Sequence, residues 1–418
     1  MRRHATRASI VNLGSELTKG ETVNTNASYI AGQLTRRGIR VAAVVSVPDE
    51  YELAREYARL ELGRDGICIF TGGLGGTRDD ITRRVVGAAL DVGLVVDRER
   101  AELLRSRYRR KKRDFREEDL MQAAFPEGGR LLDNTVGLAY GFYLKQGDRH
   151  IFSIPGVPRE MTAMLDGQVL PILEREGLFN PGYRSELLSF SNIPEYTLDR
   201  LVAGVVEAYP GIEYGTRAGY GVIKVRVETG AGAQDALSDC VRELAENLDE
   251  HLIGVGDRPL SQVVGEELGR RGLTLGTAES CTGGWLGKVL TDIPGSSGYY
   301  RGGIVAYSNV LKERLLGVSS RTLREHGAVS RSTAAGMASG ARRVLETNLA
   351  LSITGIAGPE GGTEEKPVGT VYVGLCGERG EAMTHHLQYG SDRETIRLFS
   401  VNRALFMLLR FLRGGTVE

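Results

Sequence analysis

"ASIVNLGSELTKGETVNTNASYIAGQLTRRGIRVAAVVSV", residues 8–47, decides the fold of the first part of the chain. "ASIVNLG" is an apolar run closed by glycine and reads as a buried strand. "TNASYIAGQLTRRG" carries its apolar residues at helical spacing and stops at Gly38, and "IRVAAVVSV" is a second strand. Outward from there the alternation continues: "YELAREYARLELG" is a helix, "GICIFTGG" a third strand running into glycines, and "DDITRRVVGAAL" a helix. This βαβαβα order implies a parallel sheet covered on both faces, with ligands bound beyond the carboxyl ends of its strands. Those ends carry "GSELTKG" (14–20) and "TGGLGGTRDD" (71–80), both polar and glycine-rich.

After a helix ending near Arg175, "EGLFNPGYR" reads as a linker, and residues 184–252 change character to a small β-α-β-β-α unit poor in catalytic residue types. It reads as a spacer or docking domain, with a secondary ligand site as the minority view. A third region, 257–418, alternates strands and helices again and closes with the helix "RETIRLFSVNRALFMLLRFL", which suits a core or an interface equally. The expected fold class is α/β: two layered α/β domains, 1–175 and 257–418, joined by a small α+β domain.

The bulk properties narrow the function. The chain has 53 basic and 53 acidic residues among 418 and 41% apolar content, so nothing in its charge suggests a nucleic acid or a membrane surface as main partner. No stretch approaches the roughly 18 uninterrupted apolar residues of a membrane span. The N-terminal apolar stretch is cut at Gly14 and Glu16 before a signal-peptide core could form, and Cys68, Cys240, Cys281 and Cys376 are far apart without a CxxC pair. A cytoplasmic protein without a disulfide framework is expected. His385 and His386 are neighbours on an expected strand and point to opposite sides, which disfavours a shared metal. The run "RSRYRRKKRDFREED" (105–119) turns acidic at once and reads as a solvated helix or loop.

Candidate chemistry concentrates in the third region. "GTAESCTGGW" (276–285) sets Ser280, Cys281 and Thr282 at a strand end, after Glu279 and before Gly283 and Gly284. The glycines leave backbone N–H groups open to an anion or a developing oxyanion, although a serine or threonine before a helix is also a routine N-cap. "VAYSNVLKERL" offers Tyr307 at the next strand end and Lys312 in the following helix. A serine hydroxyl needs a base, and a desolvated lysine can serve when no histidine is placed for it; the competing reading leaves Lys312 as a solvated helix residue. "SITGIAGPEGGTEEKPVGT" (352–370) brings Thr354, Gly355 and Lys366, and "GSDRET" puts Arg393 at a helix start, where it could meet an anion or simply decorate the surface. In the first domain Asp79 and Asp80, with Glu16 at the neighbouring strand end, suit a hydrated divalent ion bridging phosphates, or only the dipole of the helix they precede.

Taken in order, "AESCTGG", "PGSS", "GGIVAYSN", "HGAVS", "TGIAGP" and "EEKPVGTVY" resemble the C-terminal domain of the CinA (competence/damage-inducible protein) family. "GSELTKG", "NTNASYIA", "TGGLGGTRDD" and "PGVPREM" resemble that family's molybdopterin-binding-like domain. The resemblance implies deamidation of nicotinamide mononucleotide to nicotinate mononucleotide and ammonia. Ser280 would be the acylated nucleophile, Lys312 its base and Tyr307 a hydrogen-bonding partner. Gly283 and Gly284 would flank the oxyanion, with Thr282 capping the helix or lining that site, and Thr354, Gly355 and Arg393 would cradle the 5′-phosphate. That domain needs no cofactor.

For the N-terminal domain the resemblance implies ADP-ribose pyrophosphatase activity with a divalent metal (Mg, Mn or Co) and K⁺, held by Asp79, Asp80 and Glu16. Here the sequence departs from the family pattern: the first loop reads "GSELTKG", Gly76 replaces a proline, and Val157 replaces another. The family further implies a homodimer. The alternative is a non-catalytic scaffold that binds a pterin or nucleotide in competence or DNA-damage responses.

Overall fold

A computed structural model describes residues 7–64, 66–110, 112, 114–230 and 232–415. The chain divides into two compact units, one running up to Arg184 and the other from Ser185 onward, apart from a short excursion of the first at Gly230–Gly232. The small domain and the C-terminal region therefore share one unit.

The first unit has strands β1 (Arg7–Leu13), β2 (Arg40–Val47), β3 (Ile67–Thr71), β4 (Leu94–Val96), β5 (Ala124–Pro126), β6 (Arg130–Leu132), β7 (Gly141–Gln146) and β8 (Arg149–Ile154). Its main sheet runs β2-β1-β3-β8-β7-β6, and β4 pairs with β5 separately. β1 is parallel to β2 and β3, and β3 to β8, as the alternation requires. β7 and β6 correct the all-parallel expectation, because both pair antiparallel. The cause is local: only Gly147 and Asp148 separate β7 from β8, and so short a connection can only make a hairpin.

Both faces are covered. Ile10, Ile69 and Phe152 pack with Ala27, Ile30 and Leu34 of the helix Thr25–Thr35 on one side. Their strand neighbours Val11, Phe70 and Ile151 pack with Ala54 and Ala58 of the helix Tyr51–Leu62 and Val85 of the helix Thr82–Leu90 on the other. The basic run begins in the helix Arg98–Arg110, where Arg105 pairs with Glu102 at 2.6 Å; Lys111 and Arg113 lie outside the described residues.

In the second unit β9 (Arg184–Ser191), β10 (Ile212–Gly219), β11 (Val222–Thr229) and β12 (Leu252–Val255) form a sheet ordered β10-β11-β9-β12. Its helices, Glu195–Val206 and Gln234–Asn247, bury Leu198, Val202, Cys240 and Leu244 against Val225 and Val227. β12 pairs with β9, so the small domain closes at Val255 and has a final strand beyond the expected unit.

The C-terminal sheet contains β13 (Leu275–Glu279), β14 (Tyr300–Val305), β15 (Leu349–Gly355), β16 (Thr370–Cys376) and β17 (Ala382–Gln388), in the order β14-β13-β15-β16-β17. β13 is parallel to both neighbours and wholly buried, while β16 and β17 are antiparallel additions. The closing helix, Arg393–Leu412, buries ten of its residues, among them Ile396, Leu405, Phe406 and Leu409, in the core of its own unit. Its apolar face is thus a core face. No helix among the described residues is long and apolar enough to cross a membrane.

Candidate active site

β13 ends at Glu279 between two parallel neighbours, and the turn that follows is held from both: Ser280 N–H donates to Ile353 O at 2.9 Å, and Ala306 N–H to Glu279 O at 2.8 Å. The turn residues Gly283 and Gly284 have φ of 60° and 97°, a region that favours glycine, so the chain can reverse into the helix Trp285–Thr291. The buried Glu279 carboxylate closes that helix start, accepting from the N–H groups of Gly284 at 3.1 Å, Leu286 at 3.0 Å and Gly287 at 2.9 Å. Glu279 therefore does the capping for which Thr282 was a candidate.

These bonds revise the oxyanion site. Gly284 N–H belongs to Glu279, and Gly283 N–H donates to Ser280 O at 3.1 Å. The N–H groups of Cys281 and Thr282 make no hydrogen bond to another described residue, and both residues lie in the buried floor of the turn. Thr282 is fully buried, and its Oγ1 has no partner in the structure.

The helix Asn309–Leu316, capped by Ser308, projects Lys312 inward. Lys312 is 1% exposed, and its Nζ lies 3.0 Å from Ser280 Oγ, 2.9 Å from Ala306 O and 3.3 Å from Tyr307 O. No carboxylate among the described residues forms an ion pair with it. Burial holds the amine below its ordinary pKa, with the neighbouring Cys281 pulling weakly the other way. The three contacts fit both protonation states: two N–H groups serve the carbonyls, and the third position faces Ser280 Oγ with either a proton or a lone pair. A buried amine of lowered pKa against a hydroxyl can take that hydroxyl's proton. The adjacent Cys281 thiol is buried and pushed up to about 12, which leaves it protonated and a poor nucleophile near neutral pH.

Tyr307 comes to this corner through its carbonyl, while its ring is exposed and its hydroxyl lies 3.4 Å from Arg393. Arg393 also donates to Gly358 O at 2.6 Å, so it ties the glycine-rich loop to the start of the closing helix. Thr354 is buried and its hydroxyl donates to Ala328 O at 2.7 Å. A side chain at Gly355 would meet Val371 at 2.6 Å. The Thr354 hydroxyl is thus engaged within the scaffold, and Gly355 is half-buried where only a glycine fits against Val371. Lys366 pins its loop through a 2.7 Å bond to His326 O. His385 lies 3.2 Å from Arg403, while His386 stacks on Tyr372.

In the first unit the carboxyl ends of the strands open on a cavity of about 940 Å³ lined by Glu16, Asp79, Asp80, Asp119 and Glu160 together with residues 72–77. Asp80 is an internal brace: it accepts from Gly75 N–H at 2.7 Å and from the N–H and hydroxyl of Thr77 at 2.7 and 2.6 Å. Asp79 and Glu16 are exposed on the cavity wall. Among the described residues no three acidic, histidine or cysteine side chains converge as a metal-holding group. With both oxygens of Asp80 engaged in its own loop, Asp79, Asp80 and Glu16 do not form the ion site expected of them. Beneath the loop Arg83 is buried and donates to four carbonyls, those of Leu74, Gln122, Ala124 and Tyr140.

A family model for the CinA C-terminal domain matches residues 257–412, and one for a "Probable molybdopterin binding domain" matches residues 9–175. A competence-damage inducible protein of Halothermothrix orenii is 38% identical over 412 residues, 97% of this chain and 98% of that one. A CinA-like protein of Nostoc punctiforme is 38% identical over 412 residues, covering 97% and 99%. The chain belongs to the CinA family. The crystal structure of a competence/damage inducible protein from Agrobacterium tumefaciens is 44% identical over 37% of this chain and 93% of its own, with a TM-score of 0.36.

Two departures from the CinA pattern have local explanations. A side chain at Gly76 would stand 2.4 Å from Gln122 Nε2 and 3.0 Å from Asp119 Oδ1, so it would displace the ends of those two side chains. Val157 is 55% exposed at the start of the helix Pro158–Met164, where the turn tolerates it. One residue of the C-terminal site went unforeseen. Arg397 donates to Thr282 O at 2.8 Å, lies 4.9 Å over the Trp285 ring, and leaves its Nε buried without a partner. Its spacing of four from Arg393 puts both on one face of the closing helix, a signal the sequence does carry.

Proposed function

We propose that this chain hydrolyses the carboxamide of nicotinamide mononucleotide, releasing nicotinate mononucleotide and ammonia. The observation that carries the reading is the contact of Lys312 Nζ with Ser280 Oγ inside the core, with no carboxylate to hold the lysine charged. Neutral Lys312 takes the Ser280 proton as Oγ bonds to the carboxamide carbon. The oxyanion that forms is met by backbone N–H groups of the turn after Ser280. Collapse breaks the C–N bond, and the Lys312 ammonium returns its proton to the departing nitrogen, which leaves as ammonia. Water then attacks the ester, gives its proton to Lys312, and the acid is released as Ser280 Oγ takes that proton back. Arg393 at the mouth supplies the cation for the 5′-phosphate.

The N-terminal cavity is large and polar enough for a second nucleotide substrate, and hydrolysis of the pyrophosphate of ADP-ribose is the activity proposed for it. No step is assigned through a metal there, because Asp80 already serves its own loop.

Ammonia release from nicotinamide mononucleotide tests the main reading. Wild type should release ammonia in proportion to product and Ser280→Ala should not; no release from wild type, or undiminished release from the variant, overturns it.

A further inference from the structure

The second unit carries another cavity, an open cleft of about 670 Å³ whose lining does not include the Ser280 turn. It lies where the β10–β11 hairpin and the start of the helix Glu195–Val206 meet the end of β17 and the closing helix. Ile193, Pro194 and Leu387 give it apolar walls, and three aromatic rings give it a plane. Tyr389 and Phe399 stack with centroids 5.3 Å apart at 22°, and Tyr220 stands edge-on to Phe399 at 6.4 Å and 73°. The hairpin is docked onto this wall, since Asn402 Nδ2 donates to Tyr220 O at 2.6 Å and a Cβ at Gly221 would lie 2.9 Å from Phe399.

One wall is cationic. Thr395, Phe399 and Arg403 follow one another at intervals of four along the closing helix and all line the cavity. Arg403 contacts His385 Nε2 at 3.2 Å, and burial together with Arg403 holds that imidazole's pKa down at about 4. The imidazole is then neutral near pH 7, and the Glu195 carboxylate lines the same cavity at the start of its helix. An aromatic plane beside a cation, in a pocket of this volume, fits a planar heteroaromatic ring bearing an anionic group. A chain of zero formal charge favours a small ligand over a polyanionic strand.

We propose that this cavity binds a mononucleotide, with its base against the Tyr389–Phe399 wall and its phosphate at Arg403. The closing helix connects it to the catalytic turn: Arg397 reaches Thr282 O from one face of the helix that presents Phe399 and Arg403 from another. The proposal does not depend on the amidase reading, because it concerns binding at residues that the reaction does not use.

Equilibrium dialysis of adenosine 5′-monophosphate against the full chain tests it, this probe having no carboxamide for Ser280 to attack. A saturable site is expected, with adenosine and ribose 5-phosphate each binding at least tenfold more weakly. Phe399→Ala and Arg403→Gln should each weaken it tenfold or more, whereas Phe399→Tyr, Ser280→Ala and Asp79→Asn should keep it. If Phe399→Ala loses its native circular dichroism, Arg403→Gln and the adenosine comparison carry the test alone. Absence of a saturable site, equal binding in Arg403→Gln, or loss in Ser280→Ala or Asp79→Asn overturns the proposal. So does a single-stranded oligonucleotide that binds tenfold more tightly than the mononucleotide.

Discussion

Lys312 Nζ lies 3.0 Å from Ser280 Oγ, and the two meet in the interior although 32 positions separate them in the chain. The parallel neighbours β13 and β14 bring this about: Ser280 follows the end of one strand, and Lys312 sits in the first turn of the helix that follows the next. Two carbonyls, from Ala306 and Tyr307, hold the amine there without neutralising it.

Lys312→Met should reduce ammonia release by about 10²–10⁴-fold, the range for a lost general base. Its thermal midpoint should stay level or rise, because a buried polar amine gives way to an apolar chain of similar length. Parallel melting and turnover measurements check both halves. Full activity in this variant would contradict the assigned base.

The pH dependence has a definite sign. Proton abstraction needs neutral Lys312, so kcat/KM should rise with pH through a limb set by an amine below the ordinary value of about 10.4. Between that lowered value and about 10.4 the unfolded chain binds the proton and the native chain does not, so the Lys312 contribution to stability increases with pH across the window and levels off above it. Denaturant titrations of wild type and Lys312→Met at several pH values should diverge in that direction.

Cys281 should be inert. Its thiol is buried and pushed up to about 12, so iodoacetamide near pH 8 should leave it unmodified in the native chain, and Cys281→Ala should keep most activity. Peptide mapping after alkylation reads the first point. Rapid labelling with loss of activity would transfer the nucleophile to sulfur.

Much of this corner was legible in the sequence. A nucleophile triplet after an apolar strand, then a tyrosine and a lysine after the next, locates Ser280 and Lys312, because parallel strands deliver their ends to one edge. The distribution of hydrogen bonds was not legible. Nothing in "AESCTGG" tells that Glu279 takes the N–H groups of Gly284, Leu286 and Gly287, since that depends on the angle at which the helix Trp285–Thr291 leaves the turn. For the same reason the Asp79–Asp80 pair looks like an ion site in sequence, while in the fold Asp80 turns back onto Gly75 and Thr77. The hairpin at Gly147 and Asp148, which makes β7 antiparallel, lies outside the alternation that decided the fold.

Asp80→Ala should therefore act on structure. Losing charge-assisted bonds to two N–H groups and a hydroxyl costs about 1–3 kcal/mol, whereas Asp79→Ala should stay within about 0.5 kcal/mol of wild type. Urea unfolding of the two variants makes the comparison. Equal effects would mean that the loop is braced elsewhere.

The acyl-enzyme tests the central claim most directly. Rapid acid quench of the full chain during turnover of nicotinamide mononucleotide, followed by peptide mass mapping, should reveal an adduct equal to substrate minus ammonia on the peptide that carries Ser280. It should be absent from Ser280→Ala. Turnover with no adduct under conditions where deacylation is slowed, or an adduct on Cys281 or Thr282, would contradict the account.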